Sequence, residues 1–300
     1  GSGPAGEKGA AQAAYFGKRV AVIEKEPAPG GAAVHTGTLP SKTLRETALF
    51  LSGHRQRELY GITVSVDPKL AVPKLLSRKD AVVSQEVARI EWNLDRHHVD
   101  RISGRGRLLD GHTLEVSSTG DRRTLTAEVI LIATGSIPYQ PGHIPFADPD
   151  IDDSDSILRL DRMPTSLFIM GAGVIGCEYA SMFAAMGVKV TLVEPRKELL
   201  SFLDSDMSEA LRVSLVEAGV DVRLEESGTE VRRVGDDIVT KLASGPEITS
   251  DNFLLCAVRR GATEDLDAFF GEARRGGAGK AVTQIFEYGA RLVELTEFVE

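Results

Sequence analysis

Residues 167–194 read LFIMGAGVIGCEYASMFAAMGVKVTLVE. A short apolar run, Leu167–Met170, enters the glycine turn Gly171–Gly176, a helical stretch follows, and KVTLVE ends on Glu194. Strand, GxGxxG, helix, strand and terminal acid together form a dinucleotide-binding unit. Each glycine has its own reason. Gly171 makes the turn, Gly173 lets backbone approach the phosphates, and Gly176 lets helix pack on strand. Val174 and Ile175 carry the first helical N–H groups, which together with the helix dipole favour a pyrophosphate. Glu194 is placed to accept a hydrogen bond from a ribose hydroxyl. The same stretch is the one segment that could pass for a membrane span, but Glu178 sits inside it and four glycines break it.

The pattern occurs twice. GSGPAG, Gly1–Gly6, leads through a helical stretch to RVAVIE, which ends on Glu24. In each copy the glutamate follows the first glycine by the same interval (Gly1 to Glu24, Gly171 to Glu194), and so does the basic residue after the last glycine (Gly6 to Arg19, Gly176 to Lys189). A lone GxGxxG is weak evidence; two copies with one internal spacing predict two Rossmann-like domains, a first over 1–150 and a second over 151–262, with a divergent tail over 263–300. In the first copy Gly1, Gly3, Pro4, Ala5 and Gly6 are the phosphate-cradle candidates, and Glu24, with Lys25 beside it, the ribose candidate. A Rossmann unit needs a strand ahead of its glycine turn, and the first copy reads as lacking it.

Between the copies, helices are expected over Ser41 to about Gln56 and about Val72 to Arg96, then short strands over Arg101–Val129. VILIATGSIP, Val129–Pro138, reads as a buried strand running into a glycine turn, and Tyr139–Asp150 as a linker. Trp92 reads as core and the pair His97-His98 as solvated. Strands are expected over Val220–Leu224, Thr229–Val234 and Ile238–Leu242, with Gly235-Asp236 as a turn. An amphipathic helix with Ile285, Tyr288, Leu292, Leu295 and Val299 on one face fits the tail.

Composition narrows the function. The 300 residues carry a formal charge of -9, with a pI near 5.3, which argues against nucleic acid or an anionic lipid surface as partner. The pairs Arg122-Arg123 and Arg232-Arg233 are too short to change that and read as solvated faces. Two cysteines, Cys177 and Cys256, give neither a disulfide framework nor a zinc-ligand spacing, so no metal is expected and a reducing cytoplasm fits. No basic stretch followed by an apolar run stands at the N-terminus, so no signal peptide is expected. At the second site, the Glu194 carboxylate favours NAD because it repels a 2′-phosphate, while Arg196 and Lys197 could offer that phosphate a charge.

GGAAVHTGTLPSK, Gly30–Lys42, adds a family resemblance. Taken with the two GxGxxG copies, the two terminal acids, ATGS.P at Ala133–Pro138 and Glu178 after the second glycine turn, it resembles the lipoamide dehydrogenase and glutathione reductase superfamily. Within that superfamily, HTGTLPSKTLRETALFLSGHRQRELYG (His35–Gly61), DSDSIL (Asp153–Leu158) and GAGVIGCEYASMFAAMG are most similar to the soluble, Si-specific NAD(P)+ transhydrogenases. The resemblance runs to about residue 266. It implies FAD on the first unit, NAD(H) or NADP(H) on the second, and hydride passing between NADPH and NAD+ through the flavin. It implies that Lys42 supplies the charge near the flavin and that Glu178 is its partner. It adds Gly30, Gly31, Thr38 and Ser41 to the cofactor-binding set, has Ala133, Thr134, Gly135 and Ser136 close over FAD, and has Gly106 approach the adenine end. Family members are homodimers; the dimerisation domain is not seen in this sequence.

The departures are as informative. Dithiol reductases of the superfamily carry Cys-x4-Cys just before PSK; Ala33 and Thr38 stand there, so thiol turnover by that route is excluded. Hydride exchange needs no thiol, only stacking geometry and a charge that tunes the flavin. AVRRGATEDL, Ala257–Leu266, has Val258 where the family has glycine, and no A-x-G-D strand follows. An NAD(P)H oxidase or diaphorase, or an inactive dinucleotide-binding remnant, stand as alternatives.

Overall fold

Helix α1 (Pro4–Tyr15) starts on a proline, whose fixed φ and missing N–H suit a first helical position. It stops at Gly17, which takes φ +76° while the Gly17 and Lys18 N–H groups bond back to the carbonyls of Ala14 and Ala13. The chain then turns into β1 (Ala21–Glu24). The computed structural model describes residues 1–51 and 68–263. After β1 come α2 (Gly31–His35), α3 (Thr38–Leu51) and α4 (Pro68–Arg96), the last a turn longer than its sequence reading at the N-terminal end. The expected tail helix lies outside the described residues.

Two compact units form. One comprises Gly1–His35, Val83–Ile137 and the stretch beginning at Arg259; the other comprises Thr36–Val82 and Pro138–Val258. This division differs from the sequence reading of 1–150 and 151–262. The reason is packing: α3 brings Leu44 and Ala48 into the same core as Tyr179, Met182 and Phe183, so it goes with the later residues.

The later unit holds a five-stranded parallel sheet of order β10 (Asp221–Leu224), β9 (Lys189–Glu194), β8 (Ser166–Met170), β14 (Asn252–Leu255) and β7 (Ile151–Asp153). Its central strands β8 and β14 are apolar after their first residue, as expected of strands covered on both faces. On one face Leu167 and Ile169 of β8 meet Tyr179, Ala180 and Phe183 of α5 (Val174–Ala185). On the other, Phe168 stacks on Phe253 at 5.7 Å and packs against Val231, Ile238 and Leu242. Those last residues come from the antiparallel meander β11 (Gly228–Val234), β12 (Asp237–Leu242) and β13 (Glu247–Ser250). Helix α6 (Ser205–Glu217) lies between β9 and β10 in the chain.

The residues read as a linker, 139–150, form turns, but they are held down. Ile144 is buried in the Phe168 core, and Arg233, exposed as expected, binds Asp148 (Nε to Oδ2 2.6 Å) and Asp150 (2.7 Å). A carboxylate pair within reach of a planar fork ties these turns to the meander.

In the earlier unit β1 pairs in parallel with β2 (Asp100–Ser103), and β3 (Arg105–Leu108), β4 (Thr113–Ser118) and β5 (Asp121–Thr126) form a second meander. α4 is tied to α1 by Asn93, whose Nδ2 donates to the buried Glu7 carboxylate at 2.6 Å. Two expectations are corrected here. Residues 127–135 form no strand, and Val129 and Leu131 are 74% and 51% exposed; among the described residues no strand pairs with this segment, and Leu131 lies against Gly9 of α1. Trp92 is exposed rather than core, with the Arg96 guanidinium 5.2 Å from its ring centre, an arrangement that suits a ring facing solvent. Beyond residues 127–135, β6 (Ser136–Pro138) pairs with β15 (Arg259–Gly261). Among the described residues no helix is long and apolar enough to cross a membrane.

Candidate functional site

At the second glycine turn, each glycine meets a different constraint. Gly171 takes φ +104°, and a Cβ there would lie 2.7 Å from the Cys256 carbonyl oxygen. A Cβ on Gly176 would fall 1.9 Å from the Gly171 carbonyl oxygen, so the helix can sit this close to the turn only without one. Gly173 differs: a Cβ there would meet nothing within 4 Å. Its lack of a side chain opens space above the helix start instead of relieving a contact. Gly173 is the N-cap of α5 and offers no side-chain cap. The first intrahelical bond is donated by Cys177 to Gly173, so the N–H groups of Val174, Ile175 and Gly176 have no intrahelical acceptor. An open concavity with uncapped N–H groups at a helix N-terminus fits a pyrophosphate.

Glu194, at the end of β9, is 3% exposed. Its Oε2 accepts the Ala172 N–H at 2.8 Å, and its Oε1 accepts the Arg196 N–H at 3.2 Å and Arg196 Nε at 2.7 Å. The carboxylate therefore fixes the strand end to the turn. Burial pushes its pKa up, but the hydrogen bonds from Arg196 and Ala172 outweigh that and hold it below the usual carboxylate value.

The first glycine turn repeats these contacts. A Cβ on Gly6 would lie 1.8 Å from the Gly1 oxygen, and one on Gly1 would lie 2.6 Å from the Ala133 oxygen. Gly3 is the N-cap of α1, again without a side-chain cap, followed by Pro4 and Ala5. Glu24 Oε2 accepts both the Ser2 N–H (2.7 Å) and the Ser2 hydroxyl (2.6 Å), and Oε1 accepts the Glu26 N–H (3.0 Å). Here too burial raises the carboxyl pKa and these hydrogen bonds bring it below the usual value. The buried Ser2 occupies the position of Ala172 and was not singled out in the sequence, because the x of GxGxxG carries no signal. Lys25 is exposed, its Nζ 3.8 Å from Glu26 Oε1.

Gly30 and Gly31, both at positive φ, sit against this turn. The Gly30 N–H donates to the Ser2 carbonyl at 3.1 Å, and a Cβ on Gly31 would lie 2.9 Å from the Gly3 Cα. Gly106, on β3, packs beside Ile23 of β1. Ala133 adjoins Gly1; after Thr134, Gly135 takes φ +75° and its carbonyl accepts the Ala262 N–H at 2.9 Å. The Ser136 carbonyl accepts Arg259 Nη2, also at 2.9 Å.

A third group lies within the later unit. Thr38 opens α3, and one turn on, the Ser41 hydroxyl donates to the Thr38 carbonyl (3.4 Å) and to Glu178 Oε2 (3.3 Å). Lys42 Nζ donates to Glu178 Oε1 at 3.1 Å, with the lysine exposed and the glutamate largely covered. These residues stand far apart in sequence and come together because α3 packs on α5. No cysteine stands in α2 or α3. Burial pushes the Cys177 thiol up to about 11 and raises that of Cys256 as well, so neither supplies a reactive thiolate at neutral pH.

Parallel sheet, glycine turns and strand-end carboxylates define a nucleotide-binding oxidoreductase fold. The chain belongs to the pyridine nucleotide-disulphide oxidoreductase family, whose pattern matches residues 1–280. It is 44% identical over 269 residues to the soluble pyridine nucleotide transhydrogenase of Mycobacterium bovis, and 40% identical over 267 residues to that of Marinomonas sp.. Each match covers 89% of this chain, and the chain spans 58% and 57% of those relatives' lengths. Among solved structures it is similar to the HOCl-induced flavoprotein disulfide reductase RclA of Escherichia coli. That match has TM-score 0.77 and 29% identity, and covers 88% of this chain and 57% of the other. LpdA of Mycobacterium tuberculosis matches with TM-score 0.78 and 26% identity over 88% and 58% of the two chains.

Proposed function

We propose that the chain carries FAD at the first glycine turn and NAD(H) or NADP(H) at the second, and serves hydride transfer from NADPH to NAD+, as the names of its transhydrogenase relatives suggest. The observation that carries this reading is the second turn: open space over Gly173, uncapped N–H groups at the start of α5 and the anchored Glu194 carboxylate. Held at the first turn, FAD would supply the acceptance and return of hydride between two nicotinamides. The chain's own residues orient and tune. The N–H groups of 174–176 hold the pyrophosphate, Glu194 takes the adenosine ribose, and Lys42 supplies an ammonium whose position Glu178 fixes. Ala33 and Thr38 support hydride exchange over dithiol chemistry, since no sulfur stands at either position. The two buried, unbridged cysteines support a reducing cytoplasm as the place of action, and the family resemblance supports a homodimer.

The test is a hydride-exchange assay with FAD supplied, NADPH as donor and a chromophoric NAD+ analogue as acceptor. Exchange is expected, and lipoamide or glutathione disulphide reduction is not; the reverse pattern sinks the reading. Glu194→Ala should weaken NAD+ binding by ~1–3 kcal/mol, the range for a hydrogen bond to a charged group. An unchanged affinity in titration would remove Glu194 from the ribose site.

A further inference from the structure

Helices α3 and α5 carry the two halves of the Lys42–Glu178 pair, and the packing that seats one helix on the other lies a turn further along α3. There Leu44 and Ala48 line a cavity of about 30 Å³ together with Met182, Phe183 and Met186 of the α5 stripe. Three of the chain's five methionines, Met163, Met182 and Met186, stand on its wall. Met182 and Phe183 are buried, while Met163 and Met186 keep part of their surface in solvent. The lining is otherwise apolar, and its one hydroxyl, on Tyr179, already donates to the Ser154 carbonyl at 3.1 Å.

A thioether suits such a wall, because it is apolar and flexible enough to fill an irregular gap. A sulfoxide does not. The cavity has room for one added oxygen, but that oxygen is a strong acceptor and no lining group is left to donate to it, so it must be carried out to water. We infer that Met163 and Met186 form an oxidation site that governs how α3 sits on α5. The oxidant is a hydroperoxide: sulfur takes one oxygen, the O–O bond breaks, and with hydrogen peroxide the other oxygen leaves as water. Sulfur loses two electrons and the peroxide gains them, and thiol-dependent sulfoxide reductases reverse the step. Once the sulfoxides turn outward the wall opens, Leu44 and Ala48 lose their cover, and α3 lifts from α5. Ser41 and Lys42, one turn away on the same helix, are then drawn off Glu178. The device depends on packing within the later unit alone, and it stands whether or not the nucleotide reading does.

The experiment treats the whole chain with graded hydrogen peroxide and follows two readouts, peptide mass spectrometry for the sulfoxides and hydrogen exchange for the amides of 42–49. Met207, exposed on α6 and outside this cavity, is the internal control. A dose that converts Met207 alone should leave exchange at 42–49 unchanged. Conversion of Met163 and Met186 should speed that exchange by about tenfold or more, and the two methionine sulfoxide reductases with a thiol should slow it again. The double variant Met163→Leu, Met186→Leu is close to volume-conserving. It should keep slow exchange at every dose, which separates these sulfurs from the buried thiols of Cys177 and Cys256. Three results overturn the inference: Met163 and Met186 surviving about ten times the dose that converts Met207, their conversion without faster exchange at 42–49, or a double variant as sensitive to peroxide as the wild type. The first two are read on the wild-type chain and need no variant to fold.

Discussion

Residues 252–258 read NFLLCAV and residues 129–135 read VILIATG; each is a run of four residues rich in apolar side chains that follows a three-stranded meander and leads into a turn. Asn252–Leu255 is a fully buried strand, bonded in parallel to β8 on one side and β7 on the other. Val129–Ile132 forms no strand, and its first residue is 74% exposed. Intrinsic preference does not separate them, since the exposed run has more β-branched residues than the buried one. What separates them is a neighbour. β8 lies between β9 and β14 and offers unpaired N–H and C=O groups along both edges, while no described strand stands beside β1 in the corresponding place. A strand forms where its backbone groups find partners, and its apolar side chains become core only then.

The sharpest way to break this contrast is to empty the core that β8 and β14 make. Phe168 and Phe253 are both fully buried and stacked. Phe168→Ala should destabilise the later unit by about 3–5 kcal/mol, the range for an aromatic truncated in a packed core. Denaturant unfolding of wild type and variant measures it. A loss below about 1 kcal/mol would mean that the sheet tolerates the cavity, and that β8 is not the organising strand.

The second glycine turn was legible because its signals are local: strand, spacing and acid lie within 28 residues, from Leu167 to Glu194. The meander β11–β13 was legible for the same reason, through alternation and the Gly235-Asp236 turn. The misread elements depend on residues far away in the chain. Val129–Ile132 has the composition of a core strand, and composition does not say whether a partner edge is at hand. Trp92 reads as core on size and apolarity, whereas its position on α4 leaves it facing solvent. Arg233 reads as a surface charge and is exposed, but its pairing with Asp148 and Asp150 depends on how the turns at 139–150 fold back. At the candidate site, Glu194 is singled out by its distance from Gly171, and Arg196 reads as a charge for a phosphate. That Arg196 first clamps Glu194, and that Ser2 supplies two hydrogen bonds to Glu24, needed coordinates.

A smaller effect tests the same sheet through pH. Asp152, on β7 at the sheet's edge, is 6% exposed, and the Ser156 hydroxyl donates to its Oδ1 at 2.6 Å. Burial raises its pKa to about 6, with the Ser156 bond opposing and the neighbouring Asp153 charge adding to the rise. The unfolded carboxyl titrates near 3.8. Above pH 6 both states are ionised and the folded state bears the full cost of the buried charge. Between pH 6 and 4 the folded state takes up its proton first, so stability rises as pH falls, by about 2–3 kcal/mol from this group. Asp152→Asn removes the titrating group. Unfolding at pH 4.5 and pH 7 should show the wild-type difference shrinking in the variant, and an equal pH dependence in both would show that Asp152 is not buried as a charge.

The smallest expected effect is the counterpart of Phe168→Ala at the other end of the comparison. Val129→Ser and Leu131→Ser alter the run that resembles a core strand most closely in composition. Val129 faces solvent over most of its surface, so there is little burial to lose and no ladder to break, while Leu131 keeps a contact with Gly9 of α1. Val129→Ser should change unfolding free energy by no more than about 0.5 kcal/mol, the usual range at exposed positions away from special contacts, and Leu131→Ser by about 1 kcal/mol. Hydrogen exchange should agree, with the amides of 129–132 exchanging far faster than those of 252–255, whose groups sit in a ladder on both sides. A cost above about 2 kcal/mol for Val129→Ser, or slow exchange there, would mean that the run is covered in solution by a partner edge.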